Sequence, residues 1–161
     1  MLTLKSTGEN MTKKIGRILG EIVPGCTVIA LNGELGAGKT VFARGVAEGL
    51  RVINNVHSPS YVIMNLYKGR LELYHFDFYR LEDEEELEEL GLEEYFYAEN
   101  GLTLIEWANK FPHYLPSARL EIEITKDPRD LENSRILHFK QLDRTKDFLI
   151  EELKRSAATC S

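Results

Sequence analysis

The sequence predicts an α/β protein built around a buried parallel strand, and three observations support this. Residues 26–50 run from an apolar segment through a glycine-rich turn into a segment with helical spacing. Two later apolar segments each end on an acid, Asp77 and Glu106. Near the C-terminus, two segments of alternating apolar and polar residues predict an antiparallel hairpin at one side of the sheet.

Length and composition restrict the protein class. The 161 residues are 43% apolar and 29% charged, which suits one globular domain over residues 1–161. The net charge of −6 gives no general attraction to nucleic acid or to an anionic membrane. No apolar run approaches the roughly 20 residues of a membrane helix, and the N-terminus lacks a signal-peptide core. Cys26 and Cys160 are far apart, which favours free thiols, so we expect a cytoplasmic protein.

The first elements follow from simple patterns. Leu2 and Leu4 alternate with polar residues and suggest a short edge strand. From Glu9 onward apolar residues recur at helical spacing until Pro24-Gly25, which predicts a helix covering one sheet face. Residues 28–31 are apolar without interruption, as expected for a buried parallel strand.

The glycine-rich turn carries the strongest motif. Gly33, Gly38, Lys39 and Thr40 satisfy G-x-x-x-x-G-K-[ST] between a predicted strand and a predicted helix, the context that a phosphate-binding loop requires. Glycines there let successive N–H groups turn toward a phosphate, and the helix start adds its positive end. Lys39 can reach the outer phosphates, while the Thr40 hydroxyl can bind Mg²⁺.

The loop after this helix contains Ser58-Pro59-Ser60. In many nucleotide hydrolases a loop in this place closes on the γ-phosphate and metal. Ser58 or Ser60 could act in this way, although an ordinary turn before a strand explains the pattern equally well.

Two strand-end acids extend the site. Asp77 closes the second strand of a predicted hairpin spanning residues 61–76, and Glu106 closes the strand over residues 102–105. Carboxylates in these positions can hold a metal shell and orient an attacking water. Asp77 could instead be only a helix cap, and Trp107 could be only a packing residue. His75 is interpreted as a packing or local hydrogen-bonding residue.

The remaining segments complete the expected fold. Residues 80–96 are an acidic segment in which Leu81, Leu87 and Leu90 supply a thin apolar stripe and Gly91 is placed to end the helix. Its acids are either a solvated face or a docking surface for a basic partner. A polar loop is expected between the two strands of the C-terminal hairpin. A final helix over Asp143–Arg155 is predicted to point Phe148, Leu149 and Leu153 inward.

Several motifs together resemble one family. GELGAGKT, ARG, SPSY, YHFDFYRL, EEELEELGLEEYF and LIEW occur in the order and spacing of the TsaE (YjeE) family, over about residues 9–135. These are bacterial P-loop ATPases required for the threonylcarbamoyladenosine (t6A) modification of tRNA. The resemblance implies a three-layer P-loop NTPase-like domain with a mixed, partly antiparallel sheet. It also implies ATP and Mg²⁺ as ligands and TsaB and TsaD as partners.

The same resemblance implies site roles by position. Glu106 and Asp77 would act with Lys39 in catalysis, and Thr40, Glu106 and Asp77 would hold magnesium. Ser60 would sense the γ-phosphate, Trp107 would lie beside the site, and Glu9 and Thr12 would contact the region of the base. The residues that would bind the phosphates are Glu34, Leu35, Gly36, Ala37, Gly38, Lys39, Thr40 and Val41.

Departures from the family pattern affect a few contacts. Val41 stands where a second threonine is common, so a hydroxyl contact to the α-phosphate would be lost, although the backbone N–H remains. The switch-like motif reads SPS where SPT is common. The C-terminal polar loop aligns poorly, so no nucleotide-binding arginine is carried over and Arg135 is named only as a guess.

The leading hypothesis is therefore an Mg²⁺-dependent ATPase with weak activity alone, because no arginine is evidently placed to neutralise the γ-phosphate. TsaB and TsaD would stimulate it, and direct tRNA contact is not expected outside that complex. A small-molecule P-loop kinase and a non-hydrolysing, nucleotide-dependent binding module are the alternatives.

Overall fold

The computed structural model describes residues 1–57, 59, 63–142 and 146–159. Within them, seven strands form one sheet. The strands are β1 (Leu2–Ser6), β2 (Thr27–Asn32), β3 (Met64–Lys68), β4 (Glu72–Asp77), β5 (Gly101–Glu106), β6 (Leu120–Asp127) and β7 (Asp130–Gln141). The helices are α1 (Glu9–Ile22), α2 (Lys39–Gly49), α3 (Glu84–Glu89), α4 (Glu93–Phe96) and α5 (Phe148–Ala158), with 3₁₀ turns at Ala108–Lys110 and Pro112–Tyr114.

The sheet is mixed, as predicted, with the order β1-β7-β6-β2-β5-β4-β3. Its centre is parallel: β2 pairs in parallel with both β5 and β6, and β4 pairs in parallel with β5. The edges are antiparallel, since β3 pairs with β4 and β7 pairs with both β6 and β1. The carboxyl ends of β2, β4 and β5 therefore meet at one edge of the sheet.

Helices cover both faces, which confirms the three-layer arrangement. Ile29 and Leu31 of β2 face a core shared with α1, α2 and α5. Val28 and Ala30 point the other way, into a smaller core formed with α3, α4 and the 3₁₀ turns. This alternation follows from the two-residue period of a strand.

Helices α1 and α2 approach each other backbone to backbone through four glycines. A Cβ built on Gly16 or Gly20 of α1 would lie 2.4 or 2.2 Å from carbonyl oxygens of α2. A Cβ on Gly45 or Gly49 of α2 would lie 2.0 or 2.1 Å from carbonyl oxygens of α1. The helix that follows the glycine-rich turn is therefore held against α1 at a spacing that only glycine permits.

The C-terminal part differs from the sequence prediction in two respects. Strand β7 begins at Asp130, so the expected polar loop is reduced to a tight turn after Asp127. The first residues of β7 are mainly polar because they are largely exposed, and an apolar pattern cannot reveal such a strand. Helix α5 begins at Phe148, which is 52% exposed, so the inward orientation predicted for Phe148 is wrong. Leu149 and Leu153, one turn apart, are buried as predicted.

Other predicted features agree with the structure. Helix α1 starts at Glu9 and ends before Pro24, and Leu81 and Leu87 are buried beside α3. Cys26 is a free, exposed thiol, while Cys160 lies outside the described residues. None of the helices in the described ranges has the length and apolar character needed to cross a bilayer.

Candidate nucleotide site

The glycine-rich turn forms the loop between β2 and α2. Gly33 has φ +145° and Gly38 has φ +106°, backbone angles that L side chains rarely adopt. The Ala37 N–H donates to Glu34 O at 3.0 Å, closing the turn, and Gly38 in the left-handed region precedes the first residue of α2. The N–H groups at the start of α2 therefore face the same space as the turn, a geometry suited to an anion.

Lys39 is folded back onto this loop. Its ammonium donates to Gly33 O at 2.6 Å and to Glu34 O at 2.9 Å, and it lies 4.0 Å from the centroid of the Trp107 ring. Burial lowers the pKa of Lys39, and the nearby carboxylates of Glu106 and Asp77 oppose that shift. The side chain is thus a buried cation at the floor of the loop, only 5% exposed.

The two strand-end acids lie side by side. Asp77 and Glu106 are register partners in the parallel pair β4–β5, and they are 8% and 2% exposed. The Thr40 hydroxyl lies 3.4 Å from each carboxylate oxygen of Glu106. Asp77 accepts a hydrogen bond from the Tyr79 N–H at 2.9 Å, which closes a turn. It does not cap a helix, because the next helix, α3, begins at Glu84 and is capped by Asp83.

These residues share one cavity of about 480 Å³. Its lining includes the loop, the start of α2 and both acids; the residues are Leu35, Gly36, Gly38, Lys39, Thr40, Val41, Asp77, Tyr79, Arg80, Glu106 and Trp107. Most predicted phosphate and metal residues therefore come together in the structure. Arg80 is the exception to the prediction that no arginine stands beside the site: it lies in the cavity lining, although it is exposed.

The donor atoms fit a hard divalent cation. Thr40, Glu106 and Asp77 offer hydroxyl and carboxylate oxygens, which are the ligands that Mg²⁺ prefers. The described residues contain no group of three or more His, Cys, Asp and Glu side chains that could hold a metal. This donor set suits Mg²⁺ bound by one or two carboxylates together with phosphate oxygens, not an all-protein cage.

A second cavity of about 220 Å³ lies on the other side of the loop. Glu9 and Thr12 of α1 line it together with Gly36–Gly38, Val41, Glu132, Asn133 and Arg135. The Thr12 hydroxyl is already paired with Ser6 Oγ at 2.8 Å, so the methyl side of Thr12 faces Gly38. Both α1 residues lie beside the loop, and their contact with the region of a base stays a prediction. Ser60, like Ser58, is outside the described residues.

Two residues near the site had no defined site role from sequence, although burial and one hydrogen bond agree with the interpretation of His75 as a packing or local hydrogen-bonding residue. His75 is fully buried, and its Nε2 lies 2.9 Å from Glu106 Oε1. A polar residue within the otherwise apolar end of β4 was the available signal. Arg135 donates from Nε to Ala37 O at 3.0 Å, and also to Gly36 O at 3.4 Å. Its guanidinium therefore clamps the carbonyl side of the loop, a role that only the β1–β7–β6 arrangement reveals.

Comparisons with known proteins agree with one another. A family model described as "Threonylcarbamoyl adenosine biosynthesis protein TsaE" matches residues 6–136. The tRNA threonylcarbamoyladenosine biosynthesis protein TsaE of Bacillus subtilis is 39% identical over 155 residues, 96% of this chain and 94% of that protein. The protein of the same name from Haemophilus influenzae is 42% identical over 109 residues, 65% of this chain and 68% of that one. The crystal structure of B. subtilis YdiB has a TM-score of 0.82 and 34% identity, covering 96% and 95% of the two chains.

Proposed function

This chain belongs to the TsaE family of threonylcarbamoyladenosine biosynthesis proteins, and on that premise we propose that it is an Mg²⁺-dependent ATPase supporting t6A modification of tRNA. It acts in the cytoplasm, where tRNA is modified, together with TsaB and TsaD, and it is weakly active alone. Contact with tRNA arises only within that complex.

One observation carries the ATPase proposal. Lys39, Thr40, Asp77 and Glu106 come from three separate elements, yet they line a single cavity at the carboxyl edge of the sheet. A cation, a hydroxyl and two carboxylates around a helix start are what binding a metal–triphosphate requires. A glycine-rich turn with no chemical role would not need two nearly buried acids beside it.

Each residue has a defined task in this hypothesis. The N–H groups of Gly36 and of residues 38–40 bind phosphate oxygens, while the Ala37 N–H keeps its bond to Glu34 O. Lys39 exchanges its two loop carbonyls for the outer phosphates. Thr40, Glu106 and Asp77 would hold Mg²⁺, which when bound neutralises developing charge on the phosphates. The carboxylates also accept a hydrogen bond from the attacking water and so orient it toward the phosphorus.

Weak activity alone stays part of the proposal, although the described residues include one arginine in the cavity lining. Arg135 is engaged with the loop carbonyls, and Arg80 is exposed at the cavity. A well-placed arginine, when supplied by a partner, can raise the rate of phosphoryl transfer by roughly 10³–10⁵. We therefore expect the TsaB–TsaD assembly to supply or order such a group.

The test measures ATP hydrolysis by the purified chain, alone and with TsaB, TsaD and tRNA, with repeated t6A formation scored in parallel. Lys39→Ala should weaken ATP binding and turnover together. Glu106→Ala should lower turnover by at least about 10²-fold, because its contribution grows as charge develops. Glu99→Ala, which removes an exposed acid outside the acidic segment and the cavity lining, is the matched control and should behave like the wild type.

Three results would contradict parts of this proposal. Rapid hydrolysis that TsaB and TsaD do not change would remove the role of partners. Phosphate appearing on a metabolite would favour the kinase alternative. Tight ATP binding with no turnover in any mixture would favour the binding module.

A further inference from the structure

His75 occupies a position where an apolar side chain would be expected. It is fully buried on the face of β4 that carries Leu73, whose side chain belongs to the core beside α1 and α2. Its partner across the β4–β5 pair is Leu104, which is also fully buried. Packing alone therefore gives no reason for an imidazole at this place.

Within the described ranges, the ring makes one polar contact. Nε2 lies 2.9 Å from Glu106 Oε1, and because a carboxylate oxygen only accepts hydrogen bonds, Nε2 carries the proton. Nδ1 is buried and has no hydrogen-bond partner among the described residues. An unpaired buried nitrogen lowers the stability of the fold, so the imidazole is tolerated in spite of that penalty.

The contact controls the orientation of Glu106. This carboxylate is 2% exposed and is approached by His75 from the sheet and by the Thr40 hydroxyl from α2, at 3.4 Å. A free glutamate side chain has three torsions, and the bond from His75 restricts them. With Oε1 engaged by the ring, the carboxylate presents its two oxygens to the Thr40 hydroxyl at the same distance, beside the cavity.

We propose that His75 is a positioning residue that acts through Glu106: its Nε2–H holds the carboxylate in the orientation needed to bind Mg²⁺ beside Thr40. This inference rests on the proposed Mg²⁺-dependent function. Hydrogen bonds from outside the ligand set orient carboxylate and histidine ligands in many metal sites, and their loss typically lowers metal affinity or activity about 10–100-fold.

Three substitutions separate positioning from packing. His75→Leu removes both ring nitrogens while keeping an apolar core, so it also removes the unpaired Nδ1. His75→Gln keeps an amide N–H at the same number of bonds from the backbone as Nε2. His75→Asn places its amide where Nδ1 stands, too short to reach Glu106, and serves as the removal variant if His75→Leu does not fold.

Two readouts are measured for each folded variant. Calorimetry gives ATP affinity with and without Mg²⁺, and steady-state assays with TsaB and TsaD give the half-saturating Mg²⁺ concentration and kcat. We expect His75→Leu to unfold near the wild-type temperature and to lose about 10–100-fold in the Mg²⁺-dependent part of ATP affinity. ATP affinity without Mg²⁺ should stay within about twofold, and His75→Gln should recover most of the Mg²⁺ effect.

A double-mutant cycle tests the route of action. In a Glu106→Gln background, His75→Leu should add little further loss of the Mg²⁺ effect, because the residue through which it acts is already changed. Additive losses, or a wild-type Mg²⁺ effect in the His75→Leu and His75→Asn variants, would overturn the inference. A wild-type protein that binds Mg²⁺–ATP but never hydrolyses it would instead contradict the proposed function, and the calorimetric comparison would still decide the role of His75.

Discussion

The ammonium of Lys39 donates to two carbonyl oxygens of its own loop, Gly33 O and Glu34 O, and lies against the Trp107 ring. These contacts compensate for burial, which otherwise lowers the pKa of the lysine by penalising its charge. A triphosphate would therefore compete with carbonyl dipoles, which are weaker partners than a phosphate for an ammonium ion. At the scale of single residues, the loop is already shaped around a cation, so nucleotide binding exchanges partners instead of building the site anew.

The backbone of the loop gives the first stability prediction. Gly38 has φ +106° and its Cβ position is 3.8 Å from the nearest neighbour, Thr12 Cγ2, so Gly38→Ala adds backbone strain without a clash. We expect a loss of about 1–2 kcal/mol in the free energy of unfolding, measured by urea denaturation. Gly33→Ala should cost more, because its Cβ would also lie 2.4 Å from Ile124 O.

Gly8→Ala is the matched control for this series. Gly8 has φ 166°, an extended backbone angle open to any residue, and its Cβ position meets nothing within 4 Å. Its variant should unfold close to the wild type. Equal losses in the Gly8, Gly38 and Gly33 variants would show that left-handed geometry is not what the loop glycines provide.

At the scale of elements, the α1–α2 pair determines where the loop lies. Gly45 faces Lys13 O of α1, and an added Cβ would lie 2.0 Å from that oxygen, so the helices must separate to accept it. Gly45→Ala should therefore lower the free energy of unfolding by about 1–3 kcal/mol, although alanine is the better helix former. It should also weaken ATP binding measured by calorimetry, since α2 carries Lys39 and Thr40.

Glu48→Ala is the control on the same helix. Glu48 pairs with Lys13 across the two helices, but both side chains are about half exposed, so the loss should stay below about 1 kcal/mol. If Gly45→Ala lowered the free energy of unfolding no more than Glu48→Ala does, the close glycine contact would not be what holds α1 and α2 together.

Much of this arrangement could be predicted from sequence, for physical reasons. The loop, α2 and the acid-terminated strands have local signals: special backbone angles, helical spacing and a polar residue ending an apolar run. Gly45 lacks such a signal, and the signal at His75, a polar residue within an apolar run, does not identify its partner. Their roles depend on Lys13 and Glu106, which other elements bring into contact. The prediction for Phe148 was wrong because adjacent helical residues are about 100° apart, so Phe148 lies off the face that Leu149 and Leu153 share.

At the scale of the whole molecule, the parallel and antiparallel parts of the sheet have different roles. The parallel centre collects Lys39, Thr40, Asp77 and Glu106 at one edge, where they can act on a common ligand. The antiparallel side, β1-β7-β6, brings Arg135 against the loop and joins the first strand to the C-terminal hairpin. Loss of the contact between β1 and the β6–β7 hairpin should therefore destabilise the fold and also weaken the support that Arg135 gives the loop.

Asp127 makes this junction sensitive to pH. It is fully buried, accepts hydrogen bonds from the Arg129 side chain at 3.1 Å and backbone at 3.0 Å, and lies 2.9 Å from Lys5 of β1. The hydrogen bonds from Arg129 contribute most, and the contact with Lys5 adds to them, so the pKa of Asp127 is held well below its usual value. Because the pKa of Asp127 is lower in the folded chain than its value of about 3.9 in the unfolded chain, the ionised carboxylate stabilises the fold above about pH 4. This stabilisation is lost as the pH falls from about 3.9 toward the folded-state pKa. Asp127→Asn should thus unfold at a lower urea concentration than the wild type at pH 7. The difference between their urea midpoints should narrow steadily as the pH falls from about 4. The exposed Glu99→Gln control should match the wild type at pH 7. A gap of constant size across that range would mean that the Asp127 charge does not hold β1 to the hairpin.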